Sequence, residues 1–383
     1  MRRFPYNSCM IPSLYIHIPF CKRRCIYCNF YSSIYDLDTA SSFIDTLVSQ
    51  VKGLDRTVHS LYIGGGTPSA VDLKVLRRLL SALKSFSIKT GEFTIEANPE
   101  SIDDDKLKLF ADSGVNRLSI GVQSLDERKL KKLGRIHSAS RANEAVLQAR
   151  KAGFKNIGVD LIFGVWGETL DAWRQELRKA AELPVSHISC YELTYEKGTP
   201  LFSAAQNKSV APLTDDEAAT MYETAIDSLG LGGFKQYEVS NFARSGCESR
   251  HNMHYWDNGP YIGLGPSAVS YMDGVRTKNV SDVKEYVKRF KAGKPMAESS
   301  EKLPPVKMAK ETAALKIRTK EGIDFDWFRA RTGFDFLELE RRALPKLLEN
   351  DFIKYRKAGD KVTGIALKRR GFLFCDTVSS ELL

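Results

Sequence analysis

Residues 17–31 read HIPFCKRRCIYCNFY, with Cys21, Cys25 and Cys28 at C-x3-C-x2-C spacing. Phe30 stands where a fourth cysteine would continue the series. Three thiolates this close make a soft, electron-rich ligand set. Zinc takes four such ligands, usually as separated pairs, and no second C-x2-C or H-x3-H partner follows. An iron–sulfur cube held by three thiolates keeps one iron open to a further ligand. Free structural thiols are the remaining alternative. Cys9, Cys190, Cys247 and Cys375 are isolated. The odd count of seven and the lack of pairing point to a reducing, cytoplasmic compartment.

Other polar groups fall at related places. The turn GGGTP occupies 64–68, Glu96 and Asp160 sit in apolar runs, and Gln123 ends another. A glycine run has two readings. It permits a tight turn, and it lets backbone groups approach a polar ligand closely. Carboxylates within apolar strands need partners, which ribose hydroxyls or an amino group of a cofactor would supply.

The elements that position these groups alternate regularly from 13 to about 240. β-rich runs at 14–18, 60–63, 93–97, 117–122, 157–163 and 187–193 are separated by amphipathic helical runs at 41–54, 70–86, 103–113, 139–152 and 169–183. A further helix spans 215–229, opened by a capping box of Thr214 and Glu217. Alternation of this kind gives parallel strands with crossover helices, as an open doubly wound sheet or a complete or partial barrel. No G-x-G-x-x-G follows the first strand, which counts against a dinucleotide fold. In either architecture ligands bind at the carboxyl edge of the strands, and there the cysteines, GGGTP, Glu96, Gln123 and Asp160 converge.

The rhythm stops after about 240. HNMHYWDNGPYIGLGPSAVSYMDG reads as ordered loop and turns, and KLPPVKM at 302–308 as a linker. The remainder reads as helices with a polar hairpin around KAGDK, a small C-terminal domain of winged-helix type. The expected divisions are a short extension at 1–12, a core at 13–245, a loop region and connection at 246–300, and a helical domain at 301–383.

The chain is 43% hydrophobic, enough for a substantial core, and carries net charge +10. Lys and Arg are interspersed with acids along helical stretches, the pattern of a solvated surface, and no nucleic-acid-binding signature accompanies them. No apolar run reaches the length of a membrane helix, and peripheral membrane contact stays open.

CKRRCIYC, YIGGGTPS, IEANPE, LSIGVQS, GRIHS, VDLIFG, ELTYEKGTP, YEVSNFAR and HNMHYW together resemble a known family. It is the oxygen-independent coproporphyrinogen III oxidase-like group of the radical S-adenosylmethionine (SAM) enzymes, and its haem-chaperone branch is the most similar. The resemblance covers roughly 13–275. It implies a partial (β/α)6 barrel and a [4Fe–4S] cluster on Cys21, Cys25 and Cys28, with SAM chelating the fourth iron. It further implies a SAM site lined by Tyr15, the backbone at Tyr27, Gly65, Gly66, Thr67, Glu96, Gln123, Arg135, Asp160 and the neighbourhood of Thr194. Trp166 departs from the family's usual Leu-Pro-Gly, which puts the turn shape at 164–169 in doubt.

The family's coproporphyrinogen dehydrogenases carry a cysteine at the position of Phe30 and a longer N-terminal arm. Both differences favour a haem chaperone that passes haem to an acceptor protein, with oxygen-independent coproporphyrinogen III dehydrogenase as the alternative. In the HN-x2-YW motif, His251 is the expected axial ligand of haem iron, with Cys247 and His254 as competitors. Asn252, Tyr255 and Trp256 are its expected surroundings.

Overall fold

A computed structural model describes residues 11–383. Residues 1–10 of the expected extension, Cys9 among them, lie outside the described residues. Six parallel strands follow the expected rhythm: β1 (Ser13–Ile18), β2 (Leu61–Gly65), β3 (Phe93–Ala97), β4 (Arg117–Gln123), β5 (Asn156–Phe163) and β6 (His187–Glu192). Each pairs with its predecessor, as in Leu14↔Leu61, Leu61↔Phe93 and Ser119↔Gly158.

The crossovers are α1 (Leu37–Lys52), α2 (Leu73–Leu83), α3 (Asp104–Asp112), α4 (Ala139–Lys151) and α5 (Leu170–Glu182), with α6 (Asp215–Leu231) after β6. Side chains of Asp36, Asp72, Asp103, Ser138, Thr169 and Thr214 accept backbone N–H groups at their N-termini. Each such cap satisfies donors that the first helical turn leaves unpaired. The capping box of Thr214 and Glu217 is formed.

Period-two alternation divides each strand between two environments. Leu14, Ile16, Leu61, Ile63, Phe93, Ile95, Leu118, Ile120, Ile157, Val159 and Ile188 face the helices in one buried apolar core. The alternate residues, among them Tyr15, Tyr62, Thr94, Glu96, Arg117, Ser119, Asp160, His187 and Ser189, form a polar inner face. A closed eight-stranded barrel fills this space with branched apolar side chains. Here the interior is a polar chamber.

The arc does not close on itself. The sheet has twelve strands, and its further six come from residues expected to be loop, connection or linker, or to lie within the last stretch of the core. β7 (Lys235–Gln236) and β8 (Asn241–Ala243) extend it beyond β6. β9 (Tyr261–Leu264), β10 (Val269–Met272), β11 (Val275–Asn279) and β12 (Ala297–Lys302) extend it beyond β1. β9 runs parallel to β1, so the expected loop region is part of the sheet. Its residues are short and interrupted by Gly and Pro, which hid the strand period.

HNMHYW is likewise not a loop. It forms α7 (Arg250–Trp256), capped by the side chain of Ser249. Glu92, just before β3, accepts the N–H groups of Arg250 and His251 at 2.9 and 3.0 Å. A carboxylate from the barrel floor therefore supplies the negative charge that a helix N-terminus favours.

The C-terminal part contains α8 (Val283–Lys291), then α9 (Pro305–Lys316), β13 (Ile323–Asp324), α10 (Phe325–Thr332), α11 (Ala343–Glu349), a hairpin of β14 (Ile353–Ala358) and β15 (Lys361–Leu367), and α12 (Cys375–Glu381). The three-stranded sheet has the order β13-β15-β14, and the hairpin turns at KAGDK. From α9 onward this is the helix-and-wing arrangement expected.

Glu238 and Thr319 form an isolated antiparallel bridge between barrel and C-terminal part. Glu238 is fully buried, and burial pushes its carboxyl up to about 7 from an ordinary 4.5, against the opposing pull of Ser240, Asn241 and Arg318. The unfolded chain releases this proton at lower pH than the folded one. The folded state is therefore favoured at low pH and loses that advantage as pH rises through the folded value. Glu238→Gln should gain stability relative to the parent between about pH 5 and pH 8, by on the order of 3 kcal/mol. Urea unfolding across that range measures it. A difference that does not change with pH would show that Glu238 titrates normally.

Candidate metal and cofactor site at the barrel rim

The cysteine loop leaves the end of β1 and is pinned at both ends. Phe20–Cys21 pairs in parallel with Ser33–Ile34, and Tyr35 N–H donates to the Cys21 carbonyl at 2.9 Å. The GGGTP turn ties to the same segment. Gly66 N–H donates to Ile18 O at 2.9 Å, and Thr67 N–H to Phe20 O at 2.7 Å. A Cβ on Gly66 would stand 2.8–2.9 Å from the backbone of Pro19 and Phe20, so this glycine is required by chain-to-chain approach. Gly65 has φ +115°, and its N–H donates to Glu96 Oε2 at 3.0 Å. The turn thus serves backbone geometry at Gly66 and presentation of a donor at Gly65.

Two of the three sulfurs have a side-chain donor. Thr67 Oγ1 donates to Cys21 Sγ at 3.5 Å, and Arg135 Nη1 to Cys25 Sγ at 3.3 Å. The backbone at Phe30 favours the Cys28 thiolate electrostatically. Burial raises the thiols of Cys21 and Cys28, and the neighbouring cysteines add to the rise. Partly buried thiols that repel one another as anions and are met by donors suit a cationic centre. Hydrogen bonds to ligating sulfur are also a recognised means of tuning an iron–sulfur cluster. Among the described residues no three His, Cys, Asp or Glu side chains converge on one ion position. A cube takes one thiolate at each of several corners, so its ligands surround a body instead of a point. The residues present therefore fit a cluster.

The site continues inward from the sulfurs. Arg135 Nη2 donates to Gly121 O at 2.9 Å, and Asn98 Nδ2 to Thr67 Oγ1 at 2.9 Å. Tyr27 packs against Cys25 and Arg135. Glu96 accepts from Tyr62 Oη at 2.7 Å and from Gly65 N. Burial pushes the Glu96 carboxyl up to about 7, with Tyr62 and Gly65 opposing the rise and Asp160 adding to it. Asp160 is also raised by burial, and Ser119 donates to it at 3.3 Å. Gln123 sits at the end of β4 with φ +64°. Tyr15 lies deeper, its hydroxyl 3.0 Å from His17 Nδ1. Thr194 is exposed beyond β6.

The rim thus gathers Cys21, Cys25, Tyr27, Thr67 and Arg135 into one connected set, with Gly65 and Glu96 beside it. Asn98, Gly121 and Tyr62 belong with them and escaped the sequence reading, although Asn98 stands in the quoted IEANPE. The departure at 164–169 is accommodated: Gly164 and Gly167 have positive φ, and Lys132 Nζ donates to Trp166 O at 2.6 Å.

Phe30 does not pack into the site. It is 66% exposed, close in sequence to Ile34 at 61% and Leu37 at 52%. His251 lies away from the rim. It is 1% exposed, with Nδ1 2.7 Å from Ser60 Oγ and Nε2 3.1 Å from Tyr255 Oη. Ser60 precedes β2, so the imidazole sits on the barrel floor, away from the rim, with both nitrogens engaged. It is not presented to haem iron in this structure. His254 is 4% exposed and stacks on His59, with Nε2 2.7 Å from Pro260 O. Cys247 is half-buried.

Close approach at Gly66 has a measurable consequence. Gly66→Ala should push the GGGTP turn off the cysteine loop and cut the iron retained after anaerobic reconstitution severalfold. Gly230→Ala, with nothing within 4 Å of the added methyl, should leave iron content unchanged. It should also raise stability by about 0.5–1 kcal/mol, as expected within a helix. Equal iron in the two variants would remove the packing explanation.

Residues 15–180 match the model of the radical SAM superfamily. Over 345 residues the chain is 35% identical to a protein of Lactococcus lactis named heme chaperone HemW, covering 89% of this chain and 90% of that one. A HemW of Mycobacterium tuberculosis is 32% identical over 97% of this chain and 94% of its own. Among solved structures, coproporphyrinogen III oxidase HemN of Escherichia coli superposes with TM-score 0.83 at 21% identity, covering 97% of this chain and 90% of that one, a likeness of fold. With the open arc of parallel strands and the cysteine loop at its rim, these likenesses place the chain in the HemW family of the radical SAM superfamily.

Proposed function

We propose that the protein is a haem chaperone that carries a [4Fe–4S] cluster on Cys21, Cys25 and Cys28 and hands haem to an acceptor protein. The observation that carries the cluster is the pinned loop of three neighbouring thiols, two of them met by side-chain donors, with the exposed Phe30 in the fourth place. When bound, such a cluster offers an open iron corner for the amino and carboxylate groups of SAM. The chain's own residues would receive the rest of that molecule. Arg135 would meet a carboxylate, and Glu96 and Asp160 would accept from amino or ribose groups. Gly65, Gly66, Thr67, Gln123 and the backbone at Tyr27 would line the approach, with Tyr15 beneath and Thr194 at the margin.

The haem reading is supported by the relatives named heme chaperone over most of the chain. In and just after the cysteine loop, Phe30, Ile34 and Leu37 stand exposed, as do Arg23 and Arg24. A flat apolar macrocycle with two propionates would use exposed apolar side chains and guanidinium groups of these kinds. The acceptor would be a protein. No helix is long and apolar enough to cross a membrane among the described residues.

Cys21→Ala, Cys25→Ala and Cys28→Ala should each leave less than about a tenth of the iron and sulfide of the parent, since two thiolates do not hold the cube. Cys190→Ala and Cys375→Ala should retain the cluster. An intact cluster in any of the first three would overturn the assignment.

The unaltered protein should take up haem and show a Soret band, and it should convert no coproporphyrinogen III when supplied with reduced cluster and SAM. Phe30→Asp should weaken haem uptake with iron–sulfur content unchanged, while Phe30→Cys should not create decarboxylation. Absence of haem uptake would sink the chaperone reading. Steady conversion of coproporphyrinogen III would favour the dehydrogenase.

A further inference from the structure

The lowest inward layer of the chamber holds a guanidinium with no direct partner. Arg117 opens β4 and is 2% exposed. Among the described residues it makes no hydrogen bond and no ion pair, and its Nε is fully enclosed. Its acidic neighbours Glu92 and Asp160 act on it through space. Their oxygens are engaged elsewhere: Glu92 accepts from Arg250 and His251 N–H, and Asp160 takes the hydroxyls of Ser119 and Ser189. A buried charge without a partner is costly, so a group that meets it directly binds with a large gain.

Two further groups share this layer. Thr94 pairs in register with Arg117 on the neighbouring strand, and its buried hydroxyl has no partner among the described residues. His187 opens β6 and is 1% exposed, and its Nδ1 is likewise unpartnered. The other ring nitrogen, Nε2, is 2.8 Å from the Tyr237 hydroxyl, which already accepts the Ser249 N–H. That hydroxyl has one proton to give, and Nε2 receives it. Burial and the Arg117 charge keep the imidazole neutral, so its own proton sits on Nδ1. Arg117, His187 and Thr94 therefore all present hydrogens that no acceptor takes.

The hollow they border is kept open by a glycine. Gly158 lies on β5, in register with His187. A Cβ there would stand 3.2 Å from His187 Nδ1 and 3.6 Å from Arg117 Nη2. Any side chain would enter the space between the two donors. One layer nearer the rim, Ser119 pairs with Glu96, and Ser189 with Asp160. The chamber thus divides into a floor of donors and an upper layer that holds the carboxylates.

We propose that the hollow over Gly158 binds a small anion of the carboxylate class. The Arg117 guanidinium and the His187 Nδ1–H would take its oxygens, with the Thr94 hydroxyl beside them. A guanidinium favours this class because its planar fork matches two oxygens. Two sources offer the group: a free acid of formate size, and the carboxylate arm of a larger ligand entering through the rim. Under the haem-chaperone reading that larger ligand is haem, through a propionate.

The test uses full-length protein with its cluster reconstituted. Isotope-labelled formate is titrated into the parent, Arg117→Met and Gly158→Ala, at an ionic strength held constant with a bulky sulfonate. Line broadening of the formate signal and the thermal midpoint both report binding. Formate should raise the midpoint of the parent, and its affinity should fall at least about tenfold in both variants. Gly158→Ala keeps every donor and fills only the space, so it separates anion binding from loss of a charge. Iron and sulfide content should be the same in all three proteins. Haem and its dimethyl ester are then compared in the same set.

A preference for haem over the ester that disappears in both variants, with formate competing for uptake, assigns the site to a propionate. A preference that survives in the variants, beside formate binding that does not, assigns it to a free acid. Equal formate affinity in the three proteins, with the haem preference also unchanged, leaves water alone in the hollow and overturns the proposal. Parent protein that takes up no haem sinks the chaperone reading and leaves the formate titration to decide the site.

Discussion

An open arc of six strands with a polar inner face must satisfy that face from outside the sheet. Buried donors and acceptors without partners are costly, and buried charges more so. Arg117 is 2% exposed within this chamber, and its electrostatic neighbours are Glu92, Tyr237, Tyr62 and Asp160. His187 is bonded to Tyr237 at 2.8 Å, and Tyr237 accepts the N–H of Ser249. Partners thus come from the segment between β6 and α7, because the strands cannot supply them all. The floor helix, its cap on Glu92 and the added strands at both edges follow from the same requirement.

The upper opening is satisfied differently. There the chain leaves groups whose oxygens and sulfurs retain capacity: three thiols, Glu96, and Asp160. The rigidity beneath them comes from elsewhere in the rim. Lys129 bridges Glu168 and Glu176 at 2.6 Å each, all three side chains almost fully buried, and Glu176 also receives Ser124 and Leu125. A buried pair of this kind adds little stability by itself, but its hydrogen bonds set geometry. It fixes the turns after β4 and β5, from which Gln123, Arg135 and the 164–169 turn depart.

Much of this was legible in the sequence because two periods are strong. Apolar residues at every second position gave all six parallel strands within a few residues, and helical periodicity with capping side chains gave the crossovers. The convergence of cysteines, glycines and carboxylates on one edge followed from strand direction alone. The floor was illegible for a physical reason. α7 spans only Arg250–Trp256, too few residues to display a helical stripe, and its N-terminus is stabilised by Glu92, distant in sequence. Partnership of His251 with Ser60 is equally non-local. A histidine between polar neighbours reads as a ligand in a loop, whereas its burial depends on a strand nearly two hundred residues earlier. Tyr62 was overlooked for the opposite reason: in LYIGGG it looks like one more apolar strand residue.

The seam beneath α7 also has a meaning in time. Asn258 donates to Thr312 at 3.0 Å, Lys316 pairs with Asp257 at 2.7 Å, and Arg318 covers Trp256. Synthesis delivers the amino-terminal strands and the cysteine loop first, and α9 only after some three hundred residues have emerged. Until then the barrel floor lacks its backing, while the cysteine loop already has its ties to β1 and the GGGTP turn. The nascent chain therefore passes through a stage with its thiols assembled and its polar chamber still open from below. Emergence of α9 is the event that supplies the backing.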